Sequence, residues 1–243
     1  TLKLWNLETG AELKTFGGHS DSVTAVAVTP DGKKAISGSR DNTLKLWNLE
    51  TGAELKTFGG HSDSVTAVAV TPDGKKAISG SRDNTLKLWN LETGAELKTF
   101  RFRGHSSWIN VVVVTLDGKQ AISGSLDNTL KLWNLETGAE LFTFSGHSSW
   151  INAVVVTPDG KRAISGSRDN TLKLWNLETG EEIASFTGDS SIYCCAVAPD
   201  GVTIVAGDNS GRVHFLRLEG MENNHEHHTS NSNYLPNRIS AIN

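Results

Sequence analysis

The sequence predicts an all-β protein of stacked four-stranded antiparallel sheets, about five sheet equivalents plus one surplus N-terminal strand. Three observations lead there. Residues 43–84 repeat residues 1–42 letter for letter, and residues 85–100 continue the copy. Trp5, Trp47, Trp89, Trp133 and Trp175 mark the phase, evenly spaced except for a short insertion before Trp133. Each copy carries four short stretches of strand character separated by turn residues. A period of this length makes one supersecondary unit per copy, stacked as a solenoid, propeller or array.

The copy around His61 shows each element in turn. VTAVAV (Val65–Val70) is almost wholly apolar, as a strand covered on both faces should be. PDG (72–74) is a turn, and KAISGS (Lys76–Ser81) a second strand. Residues 82–84 make a tight polar turn. In TLKLWN (85–90), Leu86, Leu88 and Asn90 share one face and Thr85, Lys87 and Trp89 the other. ELKTF (Glu96–Phe100) alternates again, with Lys98 expected toward solvent as on an outer edge strand. A helical repeat is excluded, because no segment holds a helical period and Thr, Val and Gly crowd every element.

The copies end near residues 42, 84, 128, 170 and 220, so 1–220 reads as one repeat domain. Residues 221–243 are polar, Asn-rich and aperiodic, and are expected to be a disordered tail. By repeat position there are five inner, five second, six third and five outer strands. A ring could close with Glu12–Phe16 completing the C-terminal sheet (192–218), which leaves residues 1–6 surplus. The start at Thr1, in mid-copy, also suits a piece of a longer propeller. Exchange of edge strands between two chains, as a homo-oligomer, is a third possibility, since identical copies slip register easily.

GH followed by SGSxDxTLKLWN at this spacing resembles the WD40 repeat, over residues 1–220. Asn48, Asn90, Asn134 and Asn176 stand where the family usually has Asp. The near-identity of the copies further resembles the recently amplified WD40 propellers of cyanobacterial signalling proteins, where they often form a C-terminal sensor region. The segment EIASFTGDSSIYCCAVAPDG (182–201) is similar to the terminal blade of that group. The resemblance implies a β-propeller and a set of structural tetrads: His19, Ser37, Asp41 and Trp47; His61, Ser79, Asp83 and Trp89; His105, Ser123, Asp127 and Trp133; His147, Ser165, Asp169 and Trp175. In the family such a tetrad is a chain of hydrogen bonds from indole to Ser to His to Asp, which satisfies the only donor of a buried Trp. A catalytic triad is the competing reading of Ser, His and Asp, and four identical triads are hard to reconcile with one exposed nucleophile beside an oxyanion hole. The fifth copy has Asp189, Ala206, Ser210 and Leu216 at these positions, and Trp5 has none of the three partners before it.

Composition narrows the function. The net charge of −4 gives no reason to expect nucleic acid. No apolar run is long enough to cross a bilayer as a helix and no basic-then-apolar leader opens the chain, so neither a membrane span nor a signal peptide is expected. The only cysteines, Cys194 and Cys195, are adjacent and cannot staple a fold; a reducing, cytoplasmic setting is expected. HEHH (225–228) lacks the spacing that puts two ligands on one helix face, and SGS runs at strand ends are not phosphate loops. No metal or cofactor is expected. Lys45, Glu50, Glu54, Lys56 and their copies read as a solvated surface.

The copies differ mainly in two places. Ser22-Val23-Thr24 and Ser64-Val65-Thr66 become Trp108-Ile109-Asn110 and Trp150-Ile151-Asn152, and the residue before the turn Asp is Arg40, Arg82, Leu126 or Arg168. In WD40 propellers both places face the top rim around the channel, where partners usually bind. Trp and Arg are the types enriched at binding hot spots. The candidate partner-binding set is therefore Trp108, Asn110, Trp150, Asn152, Arg40, Arg82, Leu126 and Arg168, with sealing of the channel mouth as the structural alternative for the two Trp. The expected function is a non-enzymatic scaffold or sensor for a protein or peptide. The alternative is a propeller binding a small ligand or glycan once per blade, with avidity from repetition. Propeller enzymes bring converging carboxylates or histidines to the channel, where the inner strands here offer Ala, Val and Thr.

Overall fold

The computed structural model describes residues 1–101, 104–220 and 237–242, and these contain strands and turns with no helix. The N-terminal hairpin is β1 (Leu2–Trp5) with β2 (Glu12–Phe16). Five four-stranded sheets follow. The first is β3 (Val23–Val28), β4 (Lys34–Ser39), β5 (Leu44–Asn48) and β6 (Glu54–Phe58); the second is β7 (Val65–Val70), β8 (Lys76–Ser81), β9 (Leu86–Asn90) and β10 (Glu96–Phe100). The third is β11 (Ile109–Val114), β12 (Gln120–Ser125), β13 (Leu130–Asn134) and β14 (Glu140–Phe144); the fourth is β15 (Ile151–Val156), β16 (Arg162–Ser167), β17 (Thr171–Asn176) and β18 (Glu182–Thr187). The fifth is β19 (Ile192–Val197), β20 (Thr203–Asp208), β21 (Val213–Glu219) and β22 (Arg238–Ala241). Every pairing is antiparallel between neighbours in the sheet.

Local chemistry sets these boundaries. Asn42, Asn84, Asn128 and Asn170 take φ of 65–70° in the turn between second and third strands, a conformation that Asn adopts more readily than most residues. After each third strand, Asn48 Oδ1 accepts the N–H groups of Glu50 and Thr51 at 2.9 and 2.8 Å. An Asp would offer the same oxygen, so Asn here keeps the turn.

The blades stack by a repeated junction. Ile36, Leu44, Leu46 and Phe58 of the first sheet bury against Ala77, Trp89 and Leu91 of the second, and the pattern recurs along the chain. Inner strands touch in succession, β3 with β7, β7 with β11, β11 with β15 and β15 with β19. Gly38, Gly80, Gly124 and Gly166 in the second strands allow this approach, since the side chain of the next inner strand lies directly over each of them.

Four expectations are corrected. The fourth strand of the last sheet is β22, paired with β21 from Leu216 opposite Ala241 to Glu219 opposite Arg238. Part of the stretch expected to be a disordered tail is thus a strand, and Ile239 is buried in the core beside Leu218. Glu12–Phe16 therefore does not complete that sheet; β2 pairs with β1. Among the described residues the outer strands number six instead of five. Finally, Lys98 is half-buried while Leu97 is exposed, because the register slips between Glu96 and Lys98 and breaks the alternation. The two ends of the stack expose apolar faces: Val26 and Val28 on the first full blade, Val213 and Phe215 on the last.

Candidate functional site

In each complete tetrad the same geometry recurs. Trp47 Nε1–H donates to Ser37 Oγ at 2.8 Å, Ser37 Oγ lies 2.8 Å from His19 Nε2, and His19 Nδ1 lies 2.8 Å from Asp41 Oδ2. The tetrads at His61, His105 and His147 make the same three contacts at 2.7–2.8 Å. The donor count assigns the protons. Ser Oγ receives the indole proton and gives its own to Nε2, so Nδ1 carries the imidazole proton and donates it to the carboxylate. Asp41 also accepts from the N–H groups of Ser20 and Thr43 and from the Thr43 hydroxyl. Ser37, Ser79, Ser123 and Ser165 are fully buried. The Ser–His–Asp line thus has the spacing of a triad and no access for a substrate. Around it, Phe16, Phe58, Phe100 and Phe144 of each preceding blade meet Trp47, Trp89, Trp133 and Trp175 edge-on, with ring centroids 5.5–5.8 Å apart.

Burial alone would raise the pKa of Asp83, but hydrogen bonds from His61, Thr85 and the Ser62 N–H outweigh it and hold the carboxyl well below the usual range. Asp41, Asp127 and Asp169 are lowered for the same reasons. The pKa of His147 is lowered, chiefly by desolvation, against the pull of Asp169. A group whose folded pKa is depressed stabilises the fold above its unfolded pKa, and that contribution is lost as pH falls. Thermal melts across pH should therefore show stability declining below about 6.5 through His147 and more steeply below about 4 through the four aspartates. A midpoint that stays level from pH 7 to pH 3 would contradict this assignment.

Sequence reasoning missed a fifth member. Lys87 and Lys131, expected in solvent, are 4% and 8% exposed. Lys87 Nζ donates to Glu96 at 2.7 Å and Thr99 at 2.8 Å, and lies 5.9 Å from the Trp89 ring centre. Lysine on the Trp face of an edge-side strand was the available signal; its charge argued for solvent, yet its stem covers the indole. In the fifth copy Ala206 and Leu216 are packed in the core, and Asp189 instead pairs with Arg212 at 2.5 Å. His214 Nε2 lies 2.9 Å from Asp208 Oδ2, a polar pair that comparing the copies did not single out.

Of the variable positions, Trp108, Trp150, Arg82, Leu126 and Arg168 meet on one rim, where inner strands begin and second strands end. Arg82 lies over the Trp108 ring at 4.3 Å and Arg168 over Trp150 at 4.1 Å. Trp108 and Trp150 nevertheless remain 41% and 39% exposed. The rim N–H groups of Arg82, Leu126 and Arg168 donate to the carbonyls of Ser64, Trp108 and Trp150, which ties the two loops of each blade together. The Arg40 N–H makes the same bond to the Ser22 carbonyl on a blade that has no rim Trp, and Arg40 is exposed, while Leu126 is half-buried. Tyr193, exposed on the fifth blade 5.9 Å from Arg168, extends the arc. It was missed because the degenerate last copy places its aromatic residue two positions later than Trp108 and Trp150.

Asn110 and Asn152 do not join this arc. The register of each inner strand slips after its first residue, between Ile109 and Val111 and between Ile151 and Ala153. This breaks the two-residue alternation that would have set Asn beside Trp. Asn110 Nδ2 donates to the Ile151 carbonyl at 3.1 Å and Asn152 Nδ2 to the Ile192 carbonyl at 2.8 Å. Thr24 and Thr66 make the same bond to the carbonyls of Val65 and Ile109. These residues link blade to blade.

Among the described residues no group of three or more His, Cys, Asp or Glu side chains could hold a metal ion, and no helix is long and apolar enough to cross a membrane. The HEHH stretch lies outside the described residues.

Stacked four-stranded blades, four of them closed on a buried indole network and differing mainly at one rim, define a β-propeller scaffold. The family model for the WD domain, G-beta repeat, matches residues 10–48, 52–90, 94–134, 138–176 and 180–215. The chain belongs to the WD40 repeat family, whose members generally act as protein-interaction scaffolds and are typically not enzymes. No curated protein matches it.

Proposed function

We propose that this protein is a non-enzymatic scaffold or sensor that binds a protein or peptide through the Trp108–Trp150 arc of its top rim, as part of a larger signalling protein. One observation supports this best. The two tryptophans keep about two fifths of their surface in water, while Arg82 and Arg168 hold them from one side. Pre-ordered aromatic groups lose little entropy on contact, and Trp and Arg dominate interface hot spots. The tetrad residues are by contrast engaged inside the blades. The cytoplasm is the compartment we assign, on the two adjacent free cysteines.

Panning a displayed random-peptide library against the wild-type chain, and measuring the selected peptides on the Trp108→Ser, Trp150→Ser double variant, tests the site. Both serines occur naturally at Ser22 and Ser64. The variant is expected to keep its melting temperature and to bind roughly tenfold or more weakly, as for loss of hot-spot side chains. Unchanged peptide affinity would refute the site. Glycan binding at equal stoichiometry on every blade would favour a multivalent lectin instead.

A further inference from the structure

The rim arc has an order as well as a composition. Arg82 of the second blade lies over Trp108 of the third, and Arg168 lies over Trp150 of its own fourth blade, with Tyr193 of the fifth close by. Leu126 holds in the third blade the position that Arg82 and Arg168 hold in theirs, its N–H tied to the Trp108 carbonyl as that of Arg168 is to the Trp150 carbonyl. The inner strands β7, β11, β15 and β19 touch in succession, so the arc runs Arg82, Trp108, Leu126, Trp150, Arg168, Tyr193. An apolar centre of two indoles and a leucine is bracketed by two guanidinium groups, all on complete four-stranded blades.

These two cations have no anion beside them. Among the described residues the arginine ion pairs are those of Arg162, Arg212 and Arg238. Arg82 Nε is shut away from water without an acceptor, which leaves the terminal nitrogens to carry the hydrogen bonds of that side chain. The sequence also clears carboxylates from the arc. Asp21 and Asp63, which precede Ser22 and Ser64, become Ser107 and Ser149 immediately before Trp108 and Trp150. Asp63 itself accepts the Ser64 N–H, and Asp189 on the fifth blade is held by Arg212.

A guanidinium stacked on an indole keeps its edge for a carboxylate or phosphate, which its planar fork takes through paired N–H bonds. A lysine-rich guest would meet like charge at both ends of the arc. Resting on the rim reading given above, we infer that the segment bound here is acidic–apolar–acidic. Its apolar side chain sits over Trp108, Leu126 and Trp150, and an anionic side chain on either side pairs with Arg82 and with Arg168. The anion is the shared chemistry, supplied by Asp or Glu or by a phosphorylated Ser or Thr.

The probes are two pools of short degenerate synthetic peptides, one of standard residues and one that also contains phosphoserine. Each is selected on the wild-type chain and on three variants: Arg82→Gln with Arg168→Gln, Leu126→Arg, and Trp108→Ser with Trp150→Ser. The wild type is expected to select an apolar residue with acidic residues on both sides. Enrichment of phosphoserine over Asp and Glu in the second pool assigns the anion to phosphate, and its absence assigns it to carboxylate. The Arg82→Gln, Arg168→Gln chain is expected to keep its melting temperature, since Leu126 shows that a blade does without arginine there, and to bind the selected peptides roughly tenfold or more weakly. Leu126→Arg is expected to replace the central apolar preference with an acidic one, a gain that a merely structural leucine would not produce. Selection of neutral or basic sequences by the wild type, equal binding by the Arg82→Gln, Arg168→Gln chain, or an unchanged central preference on Leu126→Arg overturns this inference alone, if those peptides are still lost on the Trp108→Ser, Trp150→Ser chain. Peptides that bind that last chain as tightly as the wild type, or selection of no peptide at all, overturn the rim site together with it.

Discussion

Trp133→Ala is expected to destabilise the protein by about 3–5 kcal/mol, the range for removing a buried aromatic side chain. Trp133 is 1% exposed and packs with Leu86, Leu88 and Phe100 of the preceding blade, so its loss opens a cavity at a blade junction. It also removes the donor that Ser123 accepts. Ser123→Ala keeps the indole and strands two groups, the Trp133 N–H and His105 Nε2, and is expected to cost about 1–3 kcal/mol. The two changes should be less than additive, because both act on one hydrogen-bonded unit. Urea unfolding of the single and double variants measures this; a loss below about 1 kcal/mol for Trp133→Ala would show that the indole is not a keystone of the junction.

The second large effect is expected at Gly124. A Cβ there would lie 2.5 Å from Ile151 Cγ2, 2.8 Å from Val111 Cγ1 and 3.0 Å from Ile151 Cβ. Neither partner is the loose end of a long chain; both are branched side chains fixed on inner strands. Gly124→Val should therefore cost about 3 kcal/mol, the upper part of the range for overpacking, although valine is otherwise a good strand residue. Gly17 has no atom within 4 Å of a notional Cβ, and Gly17→Ala should change stability by less than about 0.5 kcal/mol. Equal midpoints for Gly124→Val and Gly17→Ala in the same urea titration would mean that the blades do not approach as described.

Much of this architecture was legible because the copies repeat. Alternation within TLKLWN placed Leu86 and Leu88 on one face and Lys87 with Trp89 on the other, and recurrence in phase pointed to His, Ser, Asp and Trp as a set. The remainder depended on physics that a period cannot display. β22 carries no copy of the repeat, so only its pairing with β21 reveals it. Asn110 and Asn152 looked like rim residues under strict alternation, and the register slip after Ile109 and Ile151 turned them to the next blade. Lys87 carries a charge, so its place over an indole follows only from the partners Glu96 and Thr99 that satisfy it. Arg82 and Arg168 were singled out by their variation; the stacking that gives them a role depends on which blade each Trp leans toward.

Solvent exchange of the indole protons bears most directly on whether His, Ser, Asp and Trp hold the blades together and leave recognition to the rim. The chain has seven tryptophans, each resolvable as a side-chain N–H resonance. Trp47, Trp89, Trp133 and Trp175 should exchange only when their blades open, at rates many orders slower than Trp5, Trp108 and Trp150, which should exchange as exposed groups do. Rapid exchange of the four buried indoles in the folded protein would show that their serines do not hold them, and the division of labour described above would be wrong.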